Sequence, residues 1–178
     1  MHNQATLPLL LKQLHLSSMY SQWEEVSLQA QQEKWDYAEY LTVLANRELT
    51  SRQQKRIERH LKESALPFGK TLDTFDFEAS KSVNAAQITA LANTLDWVQQ
   101  ASNLMIFGPS GVGKTHLASA IGHRLIEKGA RVFFTPTTTL VQKLQQARRD
   151  YKLTDSLNKL ARFNVLILDD IGYVKKDE

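Results

Sequence analysis

Gly108-Pro109-Ser110-Gly111-Val112-Gly113-Lys114-Thr115 fits the pattern G-x-x-x-x-G-K-[S/T] at every fixed position. What a phosphate group demands explains the residue types. Glycines let the backbone wrap closely around anionic oxygens, and the N–H groups of residues 111–115 can then converge as an anion nest at the start of a helix. Lys114 brings a point charge to the β- and γ-phosphates of a nucleotide, and the Thr115 hydroxyl can ligate Mg²⁺. His116 follows inside the helix opening. It belongs with the nucleotide-facing set by position, while its place in the helix gives it a structural reading.

This loop requires an apolar strand before it and a helix after it. Leu104-Met105-Ile106-Phe107 is a short apolar run ending in glycine, which predicts a strand buried on both faces. A helix is predicted over 113–128, closed by Gly129. A second strand follows over 131–135, then a helix over 138–151 with an apolar side at Leu140, Leu144, Ala147 and Tyr151, and a third strand over 165–168. Strands alternating with helices predict an α/β fold, a parallel P-loop NTPase sheet with helices on both faces. The third strand ends in Asp169-Asp170. Beside a phosphate loop, Asp169 is placed to hold the Mg²⁺ shell through water. Asp170 is the candidate to orient or activate an attacking water; a supporting role toward the metal is the alternative, since aspartate is one methylene shorter than the glutamate common at this position.

Toward the N-terminus the chain reads as helical. Residues 7–66 are polar and almost free of Gly and Pro, with Tyr37, Tyr40, Leu41 and Leu44 at the i, i+3, i+4, i+7 spacing of one buried face. Asp36 is a candidate cap for a long helix that runs to about residue 65, where Pro67 and Gly69 stop it. Another helix is predicted over 85–100 from Ile88, Leu91, Leu95 and Val98. The expected organisation is a helical N-terminal domain over 1–66, a linker over 67–84 and a partial nucleotide-binding domain over 85–178.

In 178 residues, 42% hydrophobic and 23% charged, there is enough apolar material for one ordinary domain and an extension. Cysteine is absent, which excludes disulfides, thiolate zinc sites and cysteine nucleophiles. No secretory signal pattern or membrane-length apolar run is present, so no membrane role and a cytoplasmic location are expected. The formal charge of +3 is mild, and an anionic partner has to be argued from where cations cluster. Arg52, Lys55, Arg56, Arg59 and Lys62 recur at three and four residues along one helix face, a contact for DNA phosphates or an acidic partner, or else a solvated face eased by Glu58 and Glu63. Lys143, Arg148, Arg149 and Lys152 lie away from the apolar seam of their helix and offer the same choice. Trp23, Trp35 and Trp97 sit in helical patterns and read as core. The five histidines show no metal-ligand spacing.

Taken together, these residues resemble the IstB-like transposition helper ATPases, relatives of the DnaC helicase loaders within the AAA+ superfamily. The likeness rests on Leu7-Pro8-Leu9-Leu10-Leu11-Lys12-Gln13-Leu14, on Phe75-Asp76-Phe77, on the loop, and on Leu166-Ile167-Leu168-Asp169-Asp170-Ile171-Gly172-Tyr173. The resemblance implies an ATP- and Mg²⁺-dependent ATPase that self-assembles on DNA and binds the transposase of the same element; a replicative helicase loader is the alternative within that clade. It also implies that Phe75 and Phe77 lie near the adenine pocket, with plain anchoring of the linker as the other reading. The helix over 138–151 falls where this clade has an element that meets DNA. One departure is expected to matter. Relatives continue past the third strand with a sensor residue, an arginine finger and further strands, and the fourth strand of such sheets lies between the first and the third. A chain ending at Glu178 would leave that place open, so a shortened product with weak turnover is expected, or a non-catalytic one that interferes with longer copies.

Overall fold

The computed structural model describes residues 6–80 and 83–171. By backbone proximity the chain divides into two compact units, 1–56 and 57–178. In the first, α1 (Leu7–Gln13) and α2 (Ser17–Glu33) precede α3 (Tyr37–Ser64), which continues into the second unit. Pro8 is accommodated in the first turn of α1, where its missing N–H costs no helical bond. Asp36 caps α3 as expected, its Oδ1 accepting from the Glu39 N–H at 2.7 Å.

The buried stripe of α3 differs from the expected one. Leu44 and Glu48 are buried and Tyr40 is half-buried, whereas Tyr37 is 90% and Leu41 61% exposed. What turns the helix is a polar contact that apolar spacing does not register. Glu48 Oε2 accepts from the Ser18 and Met19 N–H groups at 2.7 and 3.1 Å, capping the start of α2, while Oε1 accepts from Arg52 Nε at 2.7 Å. Burial pushes the Glu48 carboxyl upward, but the Arg52 hydrogen bond, the two backbone donors and the guanidinium charge outweigh it and hold the group below its ordinary value.

The second unit holds α4 (Ala85–Asn93), α5 (Asp96–Gln99), α6 (Lys114–Glu127), β1 (Val132–Pro136), α7 (Thr137–Arg149), α8 (Leu153–Leu160) and β2 (Val165–Asp169). Its core is built on α6, where Leu117, Ala120, Ile121, Leu125 and Ile126 are buried. Val132, Ala92 and Phe75 join them, and Ile57, Leu61 and Trp97 pack against the cluster half-buried. The single helix expected over 85–100 is two. Thr94 is extended, and its hydroxyl accepts from the Asp96 N–H at 3.1 Å, which opens a new turn instead of continuing the old one. α8 has no counterpart among the elements expected from the sequence.

β1 and β2 are parallel, in register from Val132 opposite Val165 to Pro136 opposite Asp169. The run 104–107 is not a ladder strand. Met105 and Phe107 are 72% and 84% exposed, and only Ile106 packs against the core. A strand exists by pairing. β2 is bonded along one edge by β1, and among the described residues no strand lies on its other edge. Leu166 and Leu168, alternating with the inward Val165 and Ile167, are correspondingly exposed.

Candidate phosphate and metal site

The loop begins after the apolar run 104–107 and ends at α6. Gly111 and Gly113 adopt φ of 81° and 91°, a region that side chains disfavour, so these glycines let the chain turn back onto the helix axis. Gly113 is the N-cap residue of α6, and no side chain caps the helix. The first-turn N–H groups therefore keep their capacity for an anion, reinforced by the helix dipole. Lys114 Nζ donates to the Pro109 carbonyl at 2.6 Å, which folds the ammonium over the loop it is expected to serve.

Thr115 and Asp169 meet. The Thr115 hydroxyl lies 2.9 Å from Asp169 Oδ2 and 3.1 Å from Oδ1, although 54 residues separate them. Two features of the fold bring them together. A Cβ on Gly122 would stand 2.9 Å from Ile167 Cδ1, so the missing side chain lets α6 approach β2 closely. Thr137 Oγ1 then donates to the Asp169 carbonyl oxygen at 2.8 Å and fixes the strand end; Thr137 was not singled out from sequence, and no local pattern marks it. A hydroxyl and a carboxylate are hard oxygen donors that suit Mg²⁺, an ion that keeps several waters and takes few protein ligands. Among the described residues no cluster of three or more His, Cys, Asp or Glu forms a separate metal site. Asp170 follows at the strand end, exposed and with a left-handed φ of 55°.

Beside the loop lies a cavity of about 480 Å³, lined by Thr74 and the apolar Phe75, Val83 and Ile106 and, from the loop itself, by Gly108, Gly113 and Lys114. Phe75 is buried, and its ring meets Phe77 and His116 edge-on at 4.8 and 5.2 Å. Phe77 packs on the core behind it. Both aromatics anchor the linker, and Phe75 also faces the cavity. His116 Nε2 lies 3.0 Å from the Thr71 carbonyl and 3.1 Å from Thr74 Oγ1. Donation to a carbonyl requires the proton on Nε2. His116 thus ties the linker to α6 while lining the cavity.

The cationic groups are less uniform than their spacing. Arg52 is held by Glu48 and by the His15 carbonyl, and Lys55 Nζ donates to Ser17 Oγ at 3.0 Å. Both serve packing in the first unit. Arg56 and Arg59 are exposed. On α7, Lys143, Arg148 and Arg149 are exposed, as is Lys152 just beyond it. Tyr151 does not join the apolar seam: it lies past the end of α7 and is 98% exposed. No described helix is long and apolar enough to cross a membrane.

A glycine-bounded anion loop at a helix start, with its lysine, and with a hydroxyl facing a strand-end carboxylate, defines a nucleotide-binding protein of the P-loop class. The chain belongs to the family of IstB-like ATP binding proteins, whose pattern matches residues 9–178. It is 47% identical to an insertion sequence ATP-binding protein of Sinorhizobium fredii over 99% of this chain and 59% of that one. It is 37% identical to the ATP-binding protein of insertion sequence IS5376 from Geobacillus stearothermophilus, over 92% of this chain and 65% of the relative. With the ATP-binding protein of IS21 from Pseudomonas aeruginosa it shares 36% identity over 94% of this chain and 63% of the relative. The chain thus spans about three-fifths of the length of these proteins.

Proposed function

We propose that this chain binds ATP with Mg²⁺ as the helper component of an insertion sequence, and that the nucleotide governs its association with DNA and with the transposase of the same element. The observation that carries the reading is the Thr115–Asp169 pair at the mouth of the loop. It supplies a metal-binding hydroxyl and carboxylate beside a nest built for phosphates. In this reading Lys114 exchanges the Pro109 carbonyl for β- and γ-phosphate oxygens. The adenine enters the cavity against Phe75 and Val83, with His116 and Phe77 holding that wall in place. Asp170, exposed next to Asp169, orients the water in any hydrolysis. Exposed cations on α7, with Arg56 and Arg59 on α3, meet DNA phosphates.

Titration with a fluorescent ATP analogue, with and without Mg²⁺ and with Lys114→Ala in parallel, tests the central claim. Saturable binding that needs Mg²⁺ and weakens at least tenfold in the variant supports it. Equal signals from both proteins would refute nucleotide binding at this loop. Fluorescence anisotropy with labelled DNA, with and without nucleotide, then tests the coupling.

A further inference from the structure

We propose that Tyr151, at the turn between α7 and α8, is a stacking platform for an unstacked nucleic-acid base, with Arg148, Arg149 and Lys152 holding the flanking phosphates. The inference rests on the DNA association proposed above and names the form of DNA that this surface prefers.

The turn has the bonding of a Schellman cap. The Lys152 N–H donates to the Ala147 carbonyl at 2.7 Å and the Tyr151 N–H to the Arg148 carbonyl at 3.2 Å. Tyr151 takes the left-handed position with φ 57°, where glycine is the usual occupant because it has no Cβ to crowd. Among the described non-glycine residues with positive φ, which also include His15, Lys34, Ala65, Ala101 and Asp170, Tyr151 carries the largest side chain. It gains no packing in return, being 98% exposed. An aromatic residue held at a left-handed φ with its ring in solvent suits a role outside the chain's own core.

Its surroundings indicate the chemistry. α7 carries Lys143, Arg148 and Arg149 and no carboxylate. Among the described residues, none of these side chains, nor that of Lys152, makes a hydrogen bond or ion pair. Asp150 adjoins Tyr151 in the chain, and Gln146 Nε2 donates to its Oδ1 at 2.9 Å; Asp155 lies in the first turn of α8. Cations on either side of an open aromatic face match a strand whose bases are free to stack, because every base offers a π-face and every step a phosphate. In an intact duplex those faces are covered, so single-stranded or locally unpaired DNA is the favoured partner.

The test uses the whole chain, with a single-stranded oligonucleotide containing 2-aminopurine and its duplex counterpart. Tyr151→Gly removes the ring while easing the backbone, so loss of the turn cannot explain its effect; Tyr151→Phe keeps the ring. The expected result is quenching of 2-aminopurine by the parent chain and by Tyr151→Phe, and single-strand affinity lower by about fivefold or more in Tyr151→Gly. Arg148→Gln with Arg149→Gln should flatten the salt dependence by about 1.4 logarithmic units per logarithm of salt if both contact phosphate, whereas Tyr151→Gly should leave that slope unchanged. If the parent chain binds DNA and Tyr151→Gly binds single strands equally well, the stacking role is wrong while the DNA reading survives. If the parent chain binds neither form, both fail, and an acidic protein surface becomes the candidate for this tip.

Discussion

The ring of Phe75 stands against Gly113 so closely that a Cβ on the glycine would lie 3.1 Å from Phe75 Cε2. Linker and phosphate loop are thus a single packed object. A side chain at Gly113 is disfavoured for two independent reasons, the ring, which would have to shift, and its φ of 91°. Gly113→Ala is expected to destabilise the second unit by about 1–3 kcal/mol through left-handed strain and overpacking. It should weaken nucleotide binding further by displacing the first N–H groups of α6. Thermal melts and analogue titration measure the two effects separately; an alanine variant with parental affinity would show that the loop does not need this backbone.

Phe75 itself is expected to matter through position. Phe75→Ala should cost about 3 kcal/mol or more in stability, as for other buried phenylalanines, and Phe75→Leu distinctly less. If the ring also forms the wall against which the base packs, Phe75→Leu should raise the Kd for ATP more than that for inorganic triphosphate. Equal losses for both ligands would restrict Phe75 to bracing the loop.

Much of this site was legible because its signals are local. The loop announces itself within eight residues, and the strand that supplies Asp169 is an unbroken apolar run ending in carboxylates. The Thr115–Asp169 contact follows once both are placed on neighbouring elements. What sequence could not show depends on partners distant in the chain. Thr137 is one threonine among three until its hydroxyl is seen on the Asp169 carbonyl. The inward face of α3 is set by Glu48 reaching the start of α2, which hydrophobic periodicity cannot register. Residues 104–107 have every local property of a strand, yet pairing is a property of two segments and the neighbour is missing among those described. Tyr151 fits the apolar spacing of α7 and fails because the helix ends at Arg149.

The Thr115–Asp169 pair predicts a metal-specific defect. Asp169→Asn keeps the shape and one acceptor but removes the charge that favours Mg²⁺. Without the ion, nucleotide affinity should match that of the parent chain; with it, the gain seen in the parent should largely vanish. Thr115→Ser should keep that gain and Thr115→Ala should lose it. Loss of affinity in Asp169→Asn that is the same in EDTA as in Mg²⁺ would argue that the carboxylate supports the loop and not the ion.

Glu48 gives a pH dependence whose sign is fixed. Its carboxyl in the folded chain is held below the ordinary value of 4.5, so the unfolded chain binds the proton more readily. Its contribution is fully present above about pH 4.5 and is lost as pH falls through the lower folded value. A buried carboxylate accepting from Arg52 and two backbone donors is worth about 1–3 kcal/mol. Glu48→Gln should therefore melt earlier than the parent chain at neutral pH, and the two curves should converge in acid. A difference that stays constant from neutral pH down to pH 3 would mean that shape and not charge holds α2 in place.

The edge of β2 that no described strand covers has consequences of its own. Among the described residues no strand pairs with the second edge of β2, and Leu166 and Leu168 at 41% and 37% exposure, like Met105 and Phe107, are apolar side chains open to solvent; an open edge with apolar side chains is the combination that recruits another strand. Concentration-dependent self-association is expected of this chain, visible as a mass that rises in sedimentation or light scattering. Leu166→Lys with Leu168→Lys places charge on that face without disturbing the inward Val165 and Ile167. It should shift the association midpoint to at least tenfold higher concentration while leaving the melting curve of a dilute sample nearly unchanged. If the double variant associates as readily as the parent chain, the contact lies elsewhere, and the remaining exposed apolar side chains, Phe68 at its turn first among them, become the next to replace.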